Sequence, residues 1–263
     1  MLIEKRHAEA ARKLRNAYDG GAISPLRKFL TPSDSTGAYV IQEINTRFWQ
    51  QQGRKVVGRK IGLTSESVQA QLGVNQPDFG VLFEDMSVAD GSTIDAALLI
   101  QPKAEAEIAF ILSEDLPARD LTRNELAEHI ETACVAIEIV DSRIEDWKIT
   151  FADTVADNGS SAMFVLGSLH RPLSELDLLS CKMTLEVDGE LVSTGVGSAC
   201  LGHPLDAALW LANLLSQQGQ TMRSGDIILS GALGPMVTLN ENSIIRASVE
   251  GLGSVSFRYG AGK

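Results

Sequence analysis

The sequence is poor in the residues that soft-metal and disulfide sites require. Its 263 residues include only three cysteines and four histidines. The cysteines form no CxxC pair and have no histidine-rich motif beside them, so we expect buried thiols in a reducing compartment rather than a disulfide framework or a nucleophile. The histidines show no ligand spacing, which argues against zinc. The three thiols belong to Cys134, Cys181 and Cys200.

Long apolar runs and an excess of positive charge are also missing. No stretch of about 18 apolar residues exists, which argues against a membrane span. The N-terminal residues 1–7 carry charges with no apolar stretch behind them, so they do not form a signal peptide, and a cytoplasmic location is expected. The net charge of −11 disfavours nucleic acid and anionic membranes as partners. The GxxxxGK[ST] and GxGxxG nucleotide motifs are absent as well.

The apolar pattern changes from helical to strand-like near residue 56, and 44% of the residues are hydrophobic. We therefore predict an α+β protein with a small helical N-terminal part, residues 1–55, and a β-rich body, residues 56–263. Helices are predicted over 2–18 and 36–52, from Thr122 to about residue 133, and from Pro204 onward. Strands are predicted over 56–62, 105–113, 134–142, 162–167, 182–188, 226–231, 244–249 and 253–258.

Three carboxylates stand inside apolar runs. Glu105 and Glu107 lie two residues apart and would share one face of a strand, and Glu138 is flanked by apolar residues in a second run. Like charges repel, and a buried carboxylate loses hydration unless it is paired. A hard divalent cation would relieve both penalties. Solvent-facing acids on an edge strand are the alternative, and the position of Glu138 favours the metal site.

Two further polar residues accompany these carboxylates. Lys60 ends a strand-like run between glycines, where a nearby cation or partial desolvation would lower its pKa and let it exchange protons. Taken alone, it is more typical of a solvated lysine at a strand end. Asp78 follows in the turn-like segment 76–80, where an aspartate often bonds its own backbone.

Two loops offer small polar groups. Residues 153–161 are either an ordinary turn or a set of hydrogen-bond donors for a carboxylate or water. Residues 230–236 follow a strand and are rich in glycine, which permits close backbone approach to a small ligand.

Several of these motifs occur together in one known family. The stretches Gly-Arg-Lys-Ile-Gly-Leu-Thr, Gln-Pro-Asp-Phe-Gly, Glu-Ala-Glu-Ile-Ala, Asp-Thr-Val-Ala-Asp-Asn, Cys-Leu-Gly-His-Pro-Leu and Gly-Asp-Ile-Ile-Leu-Ser-Gly-Ala-Leu-Gly-Pro follow one another in order. From about Ala22 to Tyr259 the chain resembles the 2-keto-4-pentenoate hydratases of the fumarylacetoacetate hydrolase superfamily. The 4-oxalocrotonate decarboxylases are related members.

The resemblance implies a mainly β, roll-like body around a carboxylate-bound Mg²⁺ or Mn²⁺. It implies that the three glutamates are the metal ligands, that Lys60 is an acid/base residue and that Asp78 is an active-site acid. It also implies a substrate-binding set of Ser160, Leu82 and Gly231.

The activity implied by the resemblance is a hydro-lyase of aromatic meta-cleavage degradation. It would convert 2-hydroxypenta-2,4-dienoate, or a close homologue, to a 4-hydroxy-2-oxo acid. A 4-oxalocrotonate-type decarboxylase and a non-catalytic scaffold subunit are the alternatives. The resemblance also implies a homo-oligomer, with a pentamer or decamer considered, and association with a decarboxylase or an aldolase of the same pathway.

Overall fold

The computed structural model describes residues 2–65, 69–70 and 73–262. Helices and strands are mixed along the chain, so the fold is α+β as predicted. The helices are α1 (Leu2–Gly20), α2 (Ser35–Gln51), α3 (Arg123–Glu128), α4 (Phe151–Ala156) and α5 (Pro204–Gln217). The strands are β1 (Val56–Gly62), β2 (Asp78–Phe83), β3 (Ser87–Val88), β4 (Thr93–Asp95), β5 (Pro102–Leu112), β6 (Ile130–Asp141), β7 (Ser161–Leu166), β8 (Lys182–Val187), β9 (Glu190–Val196), β10 (Ile227–Leu229), β11 (Val237–Thr238), β12 (Ser243–Val249) and β13 (Gly253–Gly260).

The larger of two curled sheets carries the polar residues singled out above. Its strands follow the order β2-β1-β10-β5-β6-β7-β3, and β11 pairs with β5. The long antiparallel pair β5–β6 forms its centre, and β1 pairs parallel with β10. The second sheet has the order β4-β13-β12-β8-β9 and packs through its apolar residues against one face of the first. That packing leaves the opposite face of β5 and β6 for the candidate site.

The N-terminal helices cover part of the larger sheet rather than standing apart from it. Asp34 caps α2 by accepting a hydrogen bond from the Gly37 N–H at 2.8 Å. Buried residues of α1 and α2 join those of α4 in one apolar cluster. Gln42 of α2 donates to the carbonyls of Phe79 and Val155, both at 2.9 Å. The division of the chain into a helical part, residues 1–55, and a β-rich body, residues 56–263, stays a prediction. Residues 1 and 263 lie outside the described residues.

The structure corrects three predictions of secondary structure. The helix expected from Thr122 to about residue 133 ends at Glu128, although its capping box with Glu125 forms as predicted. Strand β6 begins at Ile130 because its residues pair with β5 along almost its whole length, and this pairing outweighs helical propensity. The segment 76–80 is not a turn throughout, since β2 begins at Asp78 and pairs with β1.

The polar segment 153–161, which the sequence predicts as a loop, is largely helical in the structure. Residues up to Ala156 belong to α4, and a single 3-10 turn, Asn158–Ser160, leads into β7. Its side chains are buried. The three cysteines are buried and form no disulfide, as expected. None of the helices in the described ranges is both long enough and apolar enough to cross a membrane.

Candidate metal centre

The three glutamates predicted as ligands converge on one face of the β5–β6 pair. Glu105 lies directly opposite Glu138 in the antiparallel register, and Glu107 follows two residues along β5 on the same face. One carboxylate oxygen from each lies within 4.8 Å of the other two. Glu107 and Glu138 are fully buried, and Glu105 is half-buried. The face therefore presents three carboxylates with little access to bulk water.

These carboxylates have few hydrogen-bond donors of their own. Among the described residues, Glu107 accepts one hydrogen bond, from the Gly231 N–H at 2.8 Å, and its other oxygen has no partner. Neither oxygen of Glu138 has a well-aligned donor. Burial, together with Glu138 and Asp78, raises the pKa of Glu105 to about 7. Burial and the two neighbouring glutamates raise the pKa of Glu107 well above its usual value.

Lys60 lies beside the carboxylates with its side chain fully covered by protein. Its Nζ is 3.2 Å from Glu138 Oε2, which is ion-pair distance although the two groups are not aligned as a hydrogen bond. Burial alone would lower the pKa of Lys60, but Glu138, Asp78 and the other two glutamates together raise it above its usual value. In the absence of a metal ion these acids outweigh the effect of burial on the pKa of Lys60, and the lowering of its pKa by a nearby cation stays a prediction.

Asp78 reaches the same face from β2. It pairs with Gly62 in the β1–β2 register, and both of its carboxylate oxygens are buried without a partner among the described residues. Burial, with a further contribution from Glu138, raises the pKa of Asp78, and Lys60 only partly offsets this. A buried acid with free oxygens next to a lysine is a group able to exchange protons.

Glycines make room for the Lys60 side chain on several sides. A Cβ on Gly62 would lie 2.1 Å from Asp78 Oδ1 and 3.1 Å from Lys60 Nζ. A Cβ on Gly159 would lie 3.2 Å from Lys60 Cδ, and this glycine also has a positive φ of 63°. A side chain at either position would push Lys60 or Asp78 away from the carboxylates.

The turn after α4 is fixed by residues that sequence reasoning missed. Asn158 is clamped to β2: its side chain accepts from Val81 N–H at 2.7 Å and donates to Val81 O at 2.9 Å. Arg143 is wholly buried and bonds Asp157 through its Nε at 2.7 Å and its backbone N–H at 2.9 Å. Arg143 has Asp141 and Glu145 two residues away in sequence, so sequence alone does not identify Asp157 as its buried partner.

The predicted substrate-binding residues occupy different places. Ser160 is buried in the turn after α4, with its Oγ 3.4 Å from Thr154 Oγ1. Leu82 is fully buried in an apolar cluster with Ala109 and Ala136, which lie two residues beyond the glutamates on their strands. Gly231 contacts Glu107 through its N–H. Their roles toward a substrate stay predictions.

A cavity of about 420 Å³ opens beside Glu105. It is large enough for a small organic acid. Its apolar wall includes Leu63, Pro235 and Met236, and its polar wall includes Thr64. The remaining lining residues are Gly62, Ser65, Ala199, Ala232 and Gly234.

A hard divalent cation fits the donor set. All three converging groups offer oxygen, the ligand atom preferred by Mg²⁺ and Mn²⁺, and several of these oxygens lack any other partner. Their accumulated negative charge exceeds what Lys60 neutralises. Access from the cavity would leave room for substrate or water beside the ion. Glu107 Oε1 and Glu138 Oε1, which accept no hydrogen bond from the described residues, are thus available to a metal ion.

The raised pKa values predict a pH-dependent stability for the metal-free protein. A carboxyl with a folded-state pKa of about 7 against about 4.5 unfolded binds more protons when folded, so its contribution to stability falls as pH rises through that window. Unfolding in urea with a chelator at pH 5 and pH 8 measures this. Glu105→Gln should flatten the profile, and a profile equally steep in that variant would contradict the assignment.

The fold and the site together define a class: an enzyme in which a curled β-sheet carries a buried carboxylate centre. The family profile for the fumarylacetoacetate (FAA) hydrolase C-terminal region matches residues 55–258. The chain is 52% identical over 97% of its length to 2-keto-4-pentenoate hydratase 1 of Dechloromonas aromatica (strain RCB), and it covers 97% of that protein. It is 53% identical over 94% of its length to 2-keto-4-pentenoate hydratase of Burkholderia vietnamiensis (strain G4 / LMG 22486), covering 95% of it.

Among solved structures, 4-oxalocrotonate decarboxylase from Pseudomonas putida G7, complexed with magnesium and adipate, superposes with a TM-score of 0.91. The sequences are 35% identical, and the match covers 97% of each chain. The chain therefore belongs to the fumarylacetoacetate hydrolase superfamily and, within it, to the 2-keto-4-pentenoate hydratase family.

Proposed function

We propose that the protein is a metal-dependent hydro-lyase that hydrates 2-hydroxypenta-2,4-dienoate, or a close homologue, to a 4-hydroxy-2-oxo acid. The observation that carries this is the convergence of three carboxylates, two of them fully buried, with Lys60 and Asp78 beside a small-molecule cavity. The family membership supports it, since relatives that are 52% and 53% identical over nearly the whole chain carry that name. A scaffold subunit would have no need to maintain so many buried charges.

Glu105, Glu107 and Glu138 would hold Mg²⁺ or Mn²⁺. A magnesium complex of the structurally similar decarboxylase supports the same kind of ion here. When bound, the cation would act as a Lewis acid toward the carboxylate and the adjacent C2 oxygen of the substrate. The Gly231 N–H would keep Glu107 oriented by its hydrogen bond.

Lys60 and Asp78 would move the protons. The substrate is a dienol, CH2=CH–CH=C(OH)–COO⁻. Loss of the proton on the C2 hydroxyl and gain of a proton at C5 give the conjugated 2-oxo-3-enoate. Water then adds its oxygen to C4 while C3 gains a proton, which yields the 4-hydroxy-2-oxo acid. Lys60, held beside the carboxylates, would exchange a proton with the substrate, and the buried carboxyl of Asp78 would exchange that proton with Lys60.

The cavity favours hydration over decarboxylation of a diacid. A second carboxylate on the substrate would lose hydration there and would need a cationic partner. No lysine, arginine or histidine lines the cavity among the residues that the structure describes. The apolar wall formed by Leu63, Pro235 and Met236 suits an uncharged vinyl or methyl-extended tail instead. We therefore assign an uncharged substrate tail.

The assay that tests this function follows the ultraviolet absorbance of freshly generated 2-hydroxypenta-2,4-dienoate. Decay that requires Mg²⁺ or Mn²⁺, with a product heavier by one water, is the expected result. Comparing the two ions at equal concentration identifies the better cofactor. No decay there, with CO2 released from 2-oxohex-3-enedioate, would move the assignment to decarboxylase. Inactivity on both substrates would contradict the proposal.

The assembly and cellular setting belong to the same proposal. The exposed apolar side chains of Val40 and Phe48 on α2 support a homo-oligomer, for which a pentamer or decamer is proposed. Association with a decarboxylase or aldolase that makes or consumes the 2-oxo acids, and a cytoplasmic location, are proposed with it. Sedimentation of the purified protein would test the oligomer.

A further inference from the structure

A second cavity lies on the opposite face of the strands that carry Lys60 and Asp78. Successive residues of a strand point to opposite faces, so Arg59 and Phe79 turn away from the carboxylates. Their face of the sheet meets α2 on one side and α5 on the other. A cavity of about 690 Å³ lies between these elements.

Arg59 brings a positive charge to this cavity and forms no ion pair with an acid of the described residues. Its Nε is buried and has no hydrogen-bond partner among the described residues. Its Nη1 donates only to the carbonyl of Gly58, at 3.0 Å. Burial lowers the pKa of Arg59, and the charges of Asp226 and Glu43 offset this only in part. Glu43 also lines the cavity, but it is itself paired with Arg47 at 2.6 Å, so it neutralises Arg59 only in part.

The rest of the cavity combines aromatic and aliphatic side chains with a polar wall that includes Gln76, Gln218 and the Arg47–Glu43 ion pair. The rings of Tyr39 and Phe79 are stacked on each other with centroids 4.7 Å apart, and the indole of Trp210 lines the cavity from α5. Val40 and Leu214 add aliphatic surface. A half-buried guanidinium with an unpartnered Nε, together with ring faces, is suited to a carboxylate attached to a planar apolar body.

We propose that this cavity is a second ligand site, separate from the carboxylate centre, that binds an organic monocarboxylate through Arg59. The anion would supply the hydrogen-bond acceptors that the guanidinium lacks within the chain. Its apolar body would lie against Tyr39, Phe79 and Trp210. The proposal depends on none of the catalytic steps above, so the two can fail independently.

Calorimetric titration of the intact protein with benzoate tests the site. Saturating Mg²⁺ and oxalate keep the carboxylate centre occupied, so benzoate binding there does not contribute. Saturable binding of one benzoate per chain is expected. Arg59→Gln should weaken it by at least about tenfold, because the guanidinium is the only proposed anchor for the carboxylate. Benzamide, the neutral analogue, should bind weakly and equally to both proteins.

Two matched variants locate the binding. Arg54→Gln changes an arginine next to β1 that is paired with Asp85 outside the cavity, and it should leave benzoate binding unchanged. Trp210→Phe should abolish any benzoate-induced change in tryptophan fluorescence while the calorimetric signal persists. Circular dichroism establishes that each variant is folded. Absence of saturable binding, or equal binding in folded Arg59→Gln, would overturn the proposal, as would benzamide binding as tightly as benzoate.

Discussion

Lys60→Ala is expected to lower kcat for hydration by about 10²–10⁴-fold, the range for loss of a general acid or base. The reason is geometric. Lys60 is the buried ammonium beside the carboxylate centre, with Nζ 3.2 Å from Glu138 Oε2. The three glutamates keep their positions on β5 and β6 in the variant, because strand pairing rather than Lys60 sets them. Removing a positive charge from their surroundings should leave divalent-cation affinity unchanged or higher.

Kinetics and metal titration together measure this result. Lys182→Ala is the matched control, since this lysine is exposed on β8 in the other sheet. It should retain normal kcat and metal affinity. Wild-type-like turnover by Lys60→Ala would remove the lysine from the mechanism. Loss of metal binding along with activity would instead assign it a role in holding the centre together.

The strands of the site could be predicted because their polar residues interrupt strongly apolar runs. Glu105, Glu107 and Glu138 are conspicuous in sequence for this reason, and the period of two residues places the first pair on one face. What local pattern cannot supply is the register between strands. The direct pairing of Glu105 with Glu138 depends on contacts along the whole of β5 and β6.

The secondary structure of short polar segments is poorly indicated by their sequence. The segment around Asp78 has proline and glycine nearby, which is typical of a turn. In the structure its residues from Asp78 onward form β2, which pairs antiparallel with β1. The segment before β7 is rich in small polar residues, which predicts a loop when burial is unknown. Its Asp157 is held by Arg143 from after β6, and its Asn158 by Val81 from β2. Such partners are distant in sequence, so composition gives no signal for them.

The pKa of Lys60 also depends on residues that are distant in sequence. Sequence gives a lysine between glycines, for which partial desolvation predicts a lowered pKa. The structure surrounds Lys60 with four carboxylates. In the metal-free protein their combined negative charge raises the pKa of Lys60 above its usual value. Which effect prevails depends on how many acids lie near the same ammonium. That number is a property of the β1–β2 and β5–β6 registers together.

Glu107→Gln should have opposite effects on stability with and without metal. Glu107 is fully buried, and burial and its neighbours raise its pKa well above the usual value, so the ionised carboxyl destabilises the metal-free protein above neutral pH. A glutamine has nearly the same shape, and its amide oxygen can still accept from the Gly231 N–H. The metal-free variant should therefore be more stable than the wild type at pH 8, by about 1–3 kcal/mol.

With Mg²⁺ or Mn²⁺ present, the wild type should be more stable than Glu107→Gln, because the variant has lost an anionic ligand for the ion. Metal affinity should fall by at least about 100-fold, which exceeds the usual effect of changing a residue that only supports a ligand. Urea unfolding with chelator and with excess metal measures both effects in one protein. Glu131→Gln, an exposed glutamate on the same strand as Glu138, is the control and should change neither. Equal stabilisation of the wild type and Glu107→Gln by metal would show that Glu107 is not a ligand, because a carboxylate that binds the ion must lose binding energy when its charge is removed.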